Sequence, residues 1–237
     1  MNEYSTTGLL EEAIGYSVEG DVIKRVLIGG LLVSFSVLVL PIVYILGYYV
    51  DIFRETINGV DTPPVFSTEN VGVRLKRGLG ATAISLIYSL PVLVVYVAVF
   101  AVVVGFGSLS GMTEGSILLA LLITTVIGLV GSVYTAAVTP AAFVLYADTG
   151  SITGAVSLTG MKKIMSCKQY IVALLLSLVI LTVSGVIAVV ISFIPFVGFV
   201  FIGFIQFPVI VISYRMFGRA ATQSDYNFTS TAPQTTH

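Results

Sequence analysis

The chain has 237 residues, of which 57% are hydrophobic and only 10% are charged, whereas soluble domains carry about 25% charged residues. A mean hydropathy of +1.05 and several long apolar runs are typical of a membrane protein. The formal net charge of −1 provides no field that would attract nucleic acid. The composition therefore excludes a soluble domain, and we expect no nucleic acid among the partners.

The chain begins with residues of mixed polarity, before the first long apolar run. Residues 1–25 are predicted to form an N-terminal arm or a short interfacial helix. In such a helix Leu9, Leu10, Ala13 and Ile14 would lie along one face.

Five apolar runs follow, and they define a single membrane domain at residues 26–219. At 1.5 Å per residue, each run is long enough for a hydrocarbon core of about 30 Å. We predict an all-α fold, a polytopic membrane helix bundle with about five transmembrane helices plus short interfacial helices. The predicted spans cover about 26–50, 79–106, 117–146, 170–191 and 196–217. Residues 220–237, rich in Thr, Ser and Gln, are predicted to be a disordered polar tail.

Basic residues orient the bundle, because Lys and Arg concentrate in cytoplasmic segments. They cluster in the connectors 51–78 and 147–169 and near the C-terminus, which are predicted to be cytoplasmic in a multi-pass protein of the cell membrane. Five crossings put the N-terminus outside, where Lys24 and Arg25 violate the rule. An alternative removes the violation: the run at 26–50 enters the bilayer and returns without crossing. Full crossing is the favoured interpretation.

The first connector holds the turn-rich sequence NGVDTPPVF, residues 58–66. Asn58 and Gly59 favour a turn, and Pro63 and Pro64 favour an extended backbone before Phe66. Ser67 or Thr68 would then cap a helix that carries basic residues into the second span. In that helix Val71, Leu75 and Leu79 lie together, and Arg74 and Arg77 lie off that line. We interpret the basic side chains of both connectors as a candidate surface for lipid headgroups or a partner: Arg54, Arg74, Lys76, Arg77, Lys162, Lys163 and Lys168.

The second connector is predicted to hold a short interfacial helix that Ser151 caps. A helix-packing stripe is predicted in the third span, where Gly128, Ser132 and Ala136 recur at every fourth residue. Small residues at this spacing let two helix backbones approach closely. The stripe favours internal packing, with a homo-oligomer as the alternative.

Reactive side chains are scarce in this sequence. It has one cysteine, Cys167, and one histidine, His237, and its apolar runs hold no Asp, Glu, Lys or Arg well inside them. It has no phosphate-binding glycine loop, catalytic triad or metal-ligand cluster. We therefore expect no cofactor, no metal and no catalytic residue, and we expect that the protein is not an enzyme.

The stretches GYYVDIFRETINGVDTPPVF and LKRGLGATAISLIYSLP carry a resemblance to a known family. The residues that carry it are Gly47, Tyr48, Arg54, Gly59, Pro63, Pro64 and Phe66. The chain resembles family 4013 of the domains of unknown function (DUF), which are multi-helix membrane proteins found mostly in archaea. The resemblance covers roughly residues 15–220. It implies a membrane location and five or so helices, and it implies no activity.

Two functions follow from these patterns. The favoured one is a non-enzymatic membrane scaffold, or a module that interacts with the lipid bilayer, anionic lipid headgroups or a partner, because polar chemistry concentrates in the two connectors. The alternative is a small-solute transporter or channel, which prolines in four of the five runs favour. The absence of ionisable residues inside the runs opposes it.

Overall fold

The computed structural model describes residues 6–67, 69–110, 114–194 and 197–229. Within these residues every regular element is a helix, which confirms the all-α fold class. In chain order the helices are α1 (Thr6–Val18), α2 (Val22–Ser34), α3 (Val39–Ile57), α4 (Val71–Ser110), α5 (Glu114–Thr149), α6 (Ile152–Ala155), α7 (Leu158–Met165), α8 (Lys168–Ser192) and α9 (Val197–Thr222).

Four of these helices are long and apolar enough to cross a membrane, which makes the chain a membrane protein. The apolar segments lie in α4, α5, α8 and α9 and cover Val71–Val103, Ile117–Thr149, Lys168–Ser192 and Gly198–Thr222. Their outer faces expose large apolar side chains, such as Leu118 on α5 and Val190 on α8. A bilayer solvates such side chains, whereas a soluble monomer rarely exposes so many together.

The first apolar run, predicted as one helix over 26–50, is two helices instead. The helix α2 runs antiparallel to α9, since the Ser34 hydroxyl donates to the Val200 carbonyl at 2.8 Å and Gly29 lies against Phe207. The helix α3 runs parallel to α9, since the rings of Tyr48 and Phe53 pack on those of Phe207 and Tyr214. The pair therefore forms a hairpin with its open ends at the same end of the bundle.

This hairpin corrects the favoured full crossing and matches the returning alternative. The break has a physical cause in Pro41, which lies in the first turn of α3. Proline lacks the backbone N–H that donates a hydrogen bond in a helix interior. In the first turn this N–H would have no intrahelical acceptor, so proline is tolerated there. A proline at this place therefore starts a helix, and residues 35–38 form the turn before it.

The N-terminal helix α1 and the chain after α9 pack on the same end of the bundle. On α1, Leu9 and Ala13 are buried while Ile14 is exposed. After α9 the backbone N–H of Thr229 donates to Asp148 at 2.9 Å, and Phe228 packs on Tyr226. The prediction of disorder is therefore wrong for residues 220–229, because this aromatic pair anchors them. Residues 230–237 lie outside the described part of the chain.

The second connector forms two helices where one was predicted. Ser151 precedes the single turn of α6, without a capping hydrogen bond from its side chain. Ser157 caps α7, because its hydroxyl accepts from the Gly160 N–H at 3.3 Å. The buried face of α7 carries Met161 and Ile164.

We call this end of the bundle the polar end: α1, residues 58–67, 69 and 70, α6, α7 and residues 223–229. All eleven Lys and Arg residues of the chain lie in it or in the helix turns that adjoin it. Lys24 and Arg25 belong here too, since the buried Arg25 donates to the Glu19 carbonyl at 2.9 Å. The hairpin therefore removes the charge violation that five crossings would create.

The predicted packing stripe on α5 does not form one interface. Gly128 faces Tyr96 of α4, Ser132 is exposed, and Ala136 lines a cavity of about 150 Å³ between α5, α8 and α9. Two glycines mark a close helix approach elsewhere, between α3 and α4. A Cβ atom on Gly47 would lie 2.1 Å from the Arg74 carbonyl oxygen, and one on Gly78 would lie 1.8 Å from that of Val43. A homo-oligomer stays a prediction.

Candidate functional site

The first connector is fixed in place by specific contacts along its length. Gly59 adopts a φ of 74°, which costs glycine little, and turns the chain away from α3. Pro63 and Pro64 are buried. The ring of Phe66 stacks on that of Tyr48 with centroids 4.4 Å apart. The turn, the buried prolines and the aromatic residue of the predicted motif thus position the connector against the bundle.

Arg74 binds the connector to α3. Its Nε donates to Asp51 at 2.8 Å, its Nη1 to the Tyr44 hydroxyl at 3.0 Å, and its Nη2 to the Val65 carbonyl at 3.1 Å. The guanidinium also lies 5.5 Å from the ring centroid of Phe66, a distance that allows a cation–π contact. Only 5% of this side chain is exposed. The prediction that Arg74 points to lipid phosphates is therefore wrong, since its donors are used inside the protein.

Arg77 lies one turn further along α4 and reaches the other oxygen of the Asp51 carboxylate. Residues three apart on a helix share a face, so both arginines meet the same acceptor. Unlike Arg74, Arg77 leaves 32% of its side chain exposed. It therefore presents donors to a ligand as well as to Asp51.

A polar pocket of about 310 Å³ opens between α3, the first connector and α4. We call it the connector pocket. Its charged and polar lining consists of Arg54, Arg74, Arg77, Asp51, Glu55, Ser67 and Asn70. Arg54 is exposed, and its guanidinium has no hydrogen-bond or ion-pair partner among the residues that the structure describes. The pocket therefore offers one free guanidinium beside two that Asp51 orders.

Glu55 is the unusual acid of this pocket. Its Oε2 is buried and has no hydrogen-bond partner in the described part of the chain. Burial, helped by the nearby charge of Asp51, raises the pKa of the Glu55 carboxyl to about 7, although Arg74, Arg215 and Arg77 oppose the shift. Glu55 therefore exists in both protonation states near neutral pH.

Three of the seven basic residues in the sequence interpretation line one pocket. Arg54, Arg74 and Arg77 meet at the connector pocket, whereas the lysines do not line it. Lys76, Lys162, Lys163 and Lys168 are exposed at the polar end instead. The interpretation missed Asp51 and Glu55. Their spacing of four residues on one helix face was the available signal, because it places both carboxyls opposite the basic face of α4.

A second charged cluster ties the N-terminal helix to α9. Arg215 is fully buried, and it donates to Glu12 at 2.7 Å, to Asp61 at 2.7 Å and to the Val60 carbonyl at 2.9 Å. Arg219 shares the two carboxylates. With its donors used by these groups, the cluster holds the connector and α1 in place rather than forming an open site.

The described residues contain no group of three or more His, Cys, Asp or Glu side chains that could hold a metal ion. The polar lining of the connector pocket is richer in donors than in acceptors, since three guanidiniums face two carboxyls. Guanidiniums recognise carboxylate and phosphate groups. The arrangement is therefore suited to an anion.

Fold and site together define a polytopic helical membrane protein with an arginine-lined pocket at its polar end. The sequence matches the family described as "Protein of unknown function (DUF4013)" over residues 31–195, which is more than half of the chain. The protein belongs to this family, as the connector motif indicated. Searches of curated proteins and of solved structures found no match.

Proposed function

We propose that the protein is a non-enzymatic integral membrane protein that binds the phosphate group of anionic lipid headgroups in the connector pocket. The observation that carries this proposal is Arg54, which lines the pocket and whose guanidinium has no partner among the described residues. Arg77 adds a second, partly exposed guanidinium. Hydrogen bonds to charged groups contribute about 1.5–3 kcal/mol each, so two such donors suffice for selective binding.

The position of the pocket supports a lipid as the source of the anion. Its α4 wall lies in the first two turns of a membrane-spanning segment, from Val71 to Arg77. Just beyond it, Leu79 and Leu86 expose apolar side chains. A phospholipid beside α4 would therefore bring its phosphate to the pocket while its chains lie along these leucines.

The charge distribution supports the orientation. All eleven Lys and Arg residues lie at or beside the polar end, and basic residues favour the cytoplasmic side. We therefore place the polar end, with both connectors and the C-terminal segment, on the cytoplasmic face of the cell membrane. Anionic lipids enrich that face, which matches the ligand proposed for the pocket.

A small-solute transporter or channel is the second candidate, and the α2–α3 hairpin favours it. Helices that enter a membrane and return occur where they line cavities in transport proteins. Here the tip exposes apolar side chains, such as Val37 and Leu40, which suits lipid contact better than an aqueous path. Saturable solute uptake into liposomes that contain the protein would favour transport over the lipid-binding module.

Replacement of Arg54 by Gln tests the proposal with little risk to the fold, since the exposed side chain has no partner in the part of the chain that the structure describes. We expect the purified full chain in neutral detergent to bind short-chain phosphatidylglycerol in preference to phosphatidylcholine. Arg54→Gln should weaken phosphatidylglycerol binding roughly tenfold, since it removes one charge-assisted hydrogen bond. Native mass spectrometry of the protein–lipid complexes measures both affinities.

Lys163→Gln is the matched control, because it removes one positive charge from the polar end and lies outside the pocket. It should change the affinity less than threefold, as expected for an exposed charge that salt screens. Equal losses in the two variants would mean that general surface charge, not the connector pocket, attracts the lipid. Equal affinity of the unmodified protein for phosphatidylglycerol and phosphatidylcholine would contradict the proposal.

A further inference from the structure

The two carboxyls of the connector pocket differ in what they bind. Asp51 accepts from Arg74 with one oxygen and from Arg77 with the other. Glu55 lies one helix turn further on, and its Oε2 is buried without a partner in the described part of the chain. One acid of the pocket is therefore neutralised by ion pairs, and the other is not.

An arriving anion would meet these carboxyls differently. The Asp51 charge is already compensated by two guanidiniums, but an ionised Glu55 would face the ligand as a like charge. A protonated Glu55 presents no charge, and its O–H group can donate a hydrogen bond to a phosphate oxygen. Both changes favour the bound anion.

We propose that the connector pocket takes up a proton on Glu55 when it binds the phosphate group, so that acidic pH strengthens anion binding. This inference rests on the proposed function, because it concerns the same pocket and the same ligand. Proton and anion enter together, and the net charge of the pocket changes less than it would with the anion alone.

The groups around Glu55 leave it as the side chain that responds near neutral pH. Its own helix contributes Asp51, Arg54 and Tyr48, α4 contributes Arg74 and Arg77, α9 contributes Arg215, and α1 contributes Tyr16. The arginines stay charged from pH 5.5 to pH 8.5. Burial raises the pKa of the Tyr16 and Tyr48 hydroxyls above their usual range, so both stay neutral. The raised pKa of Glu55, about 7, agrees with the geometry.

The size of the effect follows from Coulomb's law. At an effective dielectric constant of about 20, typical near a protein surface, a unit charge about 6 Å away changes an affinity by up to about a hundredfold. We therefore expect the affinity to fall at least tenfold from pH 5.5 to pH 8.5. The sign is fixed by the carboxyl, since its ionised form, dominant at pH 8.5, repels the ligand.

The experiment uses anions that do not titrate in this range. Phosphatidylglycerol, a phosphodiester, is presented to the full chain in mixed detergent micelles, and inorganic sulfate is presented as a free anion. The anion that binds more tightly, phosphatidylglycerol or sulfate, shows whether the pocket takes a lipid headgroup or a free anion. The unmodified protein should bind that anion at least tenfold more tightly at pH 5.5 than at pH 8.5. Glu55→Gln should bind tightly at both.

Glu69→Gln is the matched control, because Glu69 is an exposed carboxylate of the same connector and does not line the pocket. It should keep the pH dependence of the unmodified protein. If phosphatidylglycerol binds but its affinity does not vary with pH, or if Glu55→Gln varies as much as the unmodified protein, the inference is wrong and the proposed function stands. If neither anion binds at any pH, the proposed function itself fails.

A second measurement needs no variant and covers the case in which Glu55→Gln does not fold. Titration calorimetry at pH 7 in two buffers of different ionisation enthalpy counts the protons taken up on binding. We expect uptake of about half a proton for each anion, because a group with a pKa near 7 is half ionised before binding. Zero uptake would overturn the inference.

Discussion

Burial divides the arginines of the polar end into two kinds. Arg74 and Arg215 are buried, and their donors bind carboxylates, hydroxyls and backbone carbonyls. Arg54 and Arg77 keep donors open to the connector pocket. A buried guanidinium is stable only when its partners compensate the loss of water. The first kind therefore holds the structure together, and the second kind is available to a ligand.

Arg215 and Arg219 allow a matched test of this division, because both bind Glu12 and Asp61. Arg215 is fully buried, while the side chain of Arg219 is 21% exposed. Arg215→Gln should destabilise the protein by about 3–5 kcal/mol, because it leaves buried acceptors unpaired. Arg219→Gln should cost about 1 kcal/mol or less.

Thermal unfolding in detergent, followed by circular dichroism, measures this difference. The Arg215→Gln variant should unfold at a clearly lower temperature than the Arg219→Gln variant. Similar unfolding temperatures for the two variants would contradict the structural role given to the buried arginine.

At the scale of elements, α3 and α4 form the two walls of the connector pocket, and glycines set their separation. Gly47 and Gly78 each lie where a Cβ atom would approach a backbone carbonyl of the other helix within 2.1 Å. This contact places Asp51 of α3 against Arg74 and Arg77 of α4. The geometry of the site therefore depends on having glycine, which has no side chain, at both positions.

Gly78→Ala should separate the two helices, because its Cβ would lie 1.8 Å from the Val43 carbonyl oxygen. We expect a lower unfolding temperature and at least a threefold loss of phosphatidylglycerol affinity. Overpacking of this kind costs about 1–3 kcal/mol, and a wider pocket moves the guanidiniums apart. Both quantities are measured in detergent on the full chain.

Gly72→Ala is the control on the same helix, since a Cβ there meets no atom within 4 Å. Alanine favours a helix over glycine by about 1 kcal/mol, so this variant should be as stable as the unmodified protein or more stable. A Gly78→Ala variant that behaves like Gly72→Ala would show that the helices do not need this close approach.

The elements predicted well from the sequence are those that lipid surrounds. The spans in α4, α5, α8 and α9 follow directly from apolar runs, because a crossing helix needs about 20 consecutive, predominantly apolar residues. The run at 26–50 has the same composition, but Pro41 divides it. Composition alone does not distinguish two half-length helices from one crossing helix, since both bury apolar side chains. The position of the proline distinguishes them, because a proline is favoured in the first turn of a helix and disfavoured in its interior.

The sequence indicated which basic residues lie near the pocket, but not which of them are buried and which are open to a ligand. Basic residues near a predicted interface pointed to Arg54 and Arg77, because charge patterning is a local property of the sequence. The burial of Arg74 was not predictable in this way, since it depends on contacts with Asp51 and Tyr44, which precede it by more than 20 residues. Long-range pairing of this kind decides which charges are free.

At the scale of the whole molecule, the hairpin decides on which side of the membrane the chain begins. Four spans cross the membrane an even number of times, so the two ends of the chain lie on the same side. The α2–α3 hairpin enters and returns, so it adds no crossing. The N-terminal helix then lies on the same side as both connectors. Its ion pairs with α9, through Glu12 and Arg215, require this arrangement.

Single-cysteine variants test this topology in a Cys167→Ser background. Glu19→Cys precedes the hairpin, Asn58→Cys follows it, and Phe193→Cys lies at the opposite end, and all three positions are exposed. A membrane-impermeant maleimide should label positions 19 and 58 from the same side and position 193 from the other. In inverted membrane vesicles we expect labelling at 19 and 58, because the proposed orientation puts the polar end on the cytoplasmic face.

The three positions separate the hairpin from a full crossing of residues 26–50. A crossing would move position 19 to the side of position 193 and leave position 58 where it is. It would also pull Glu12 away from Arg215, which the membrane does not permit without unpairing a buried charge. Labelling of 19 together with 193 would therefore contradict both the hairpin and the placement of α1, whereas labelling of 19 together with 58 requires that the first apolar run returns.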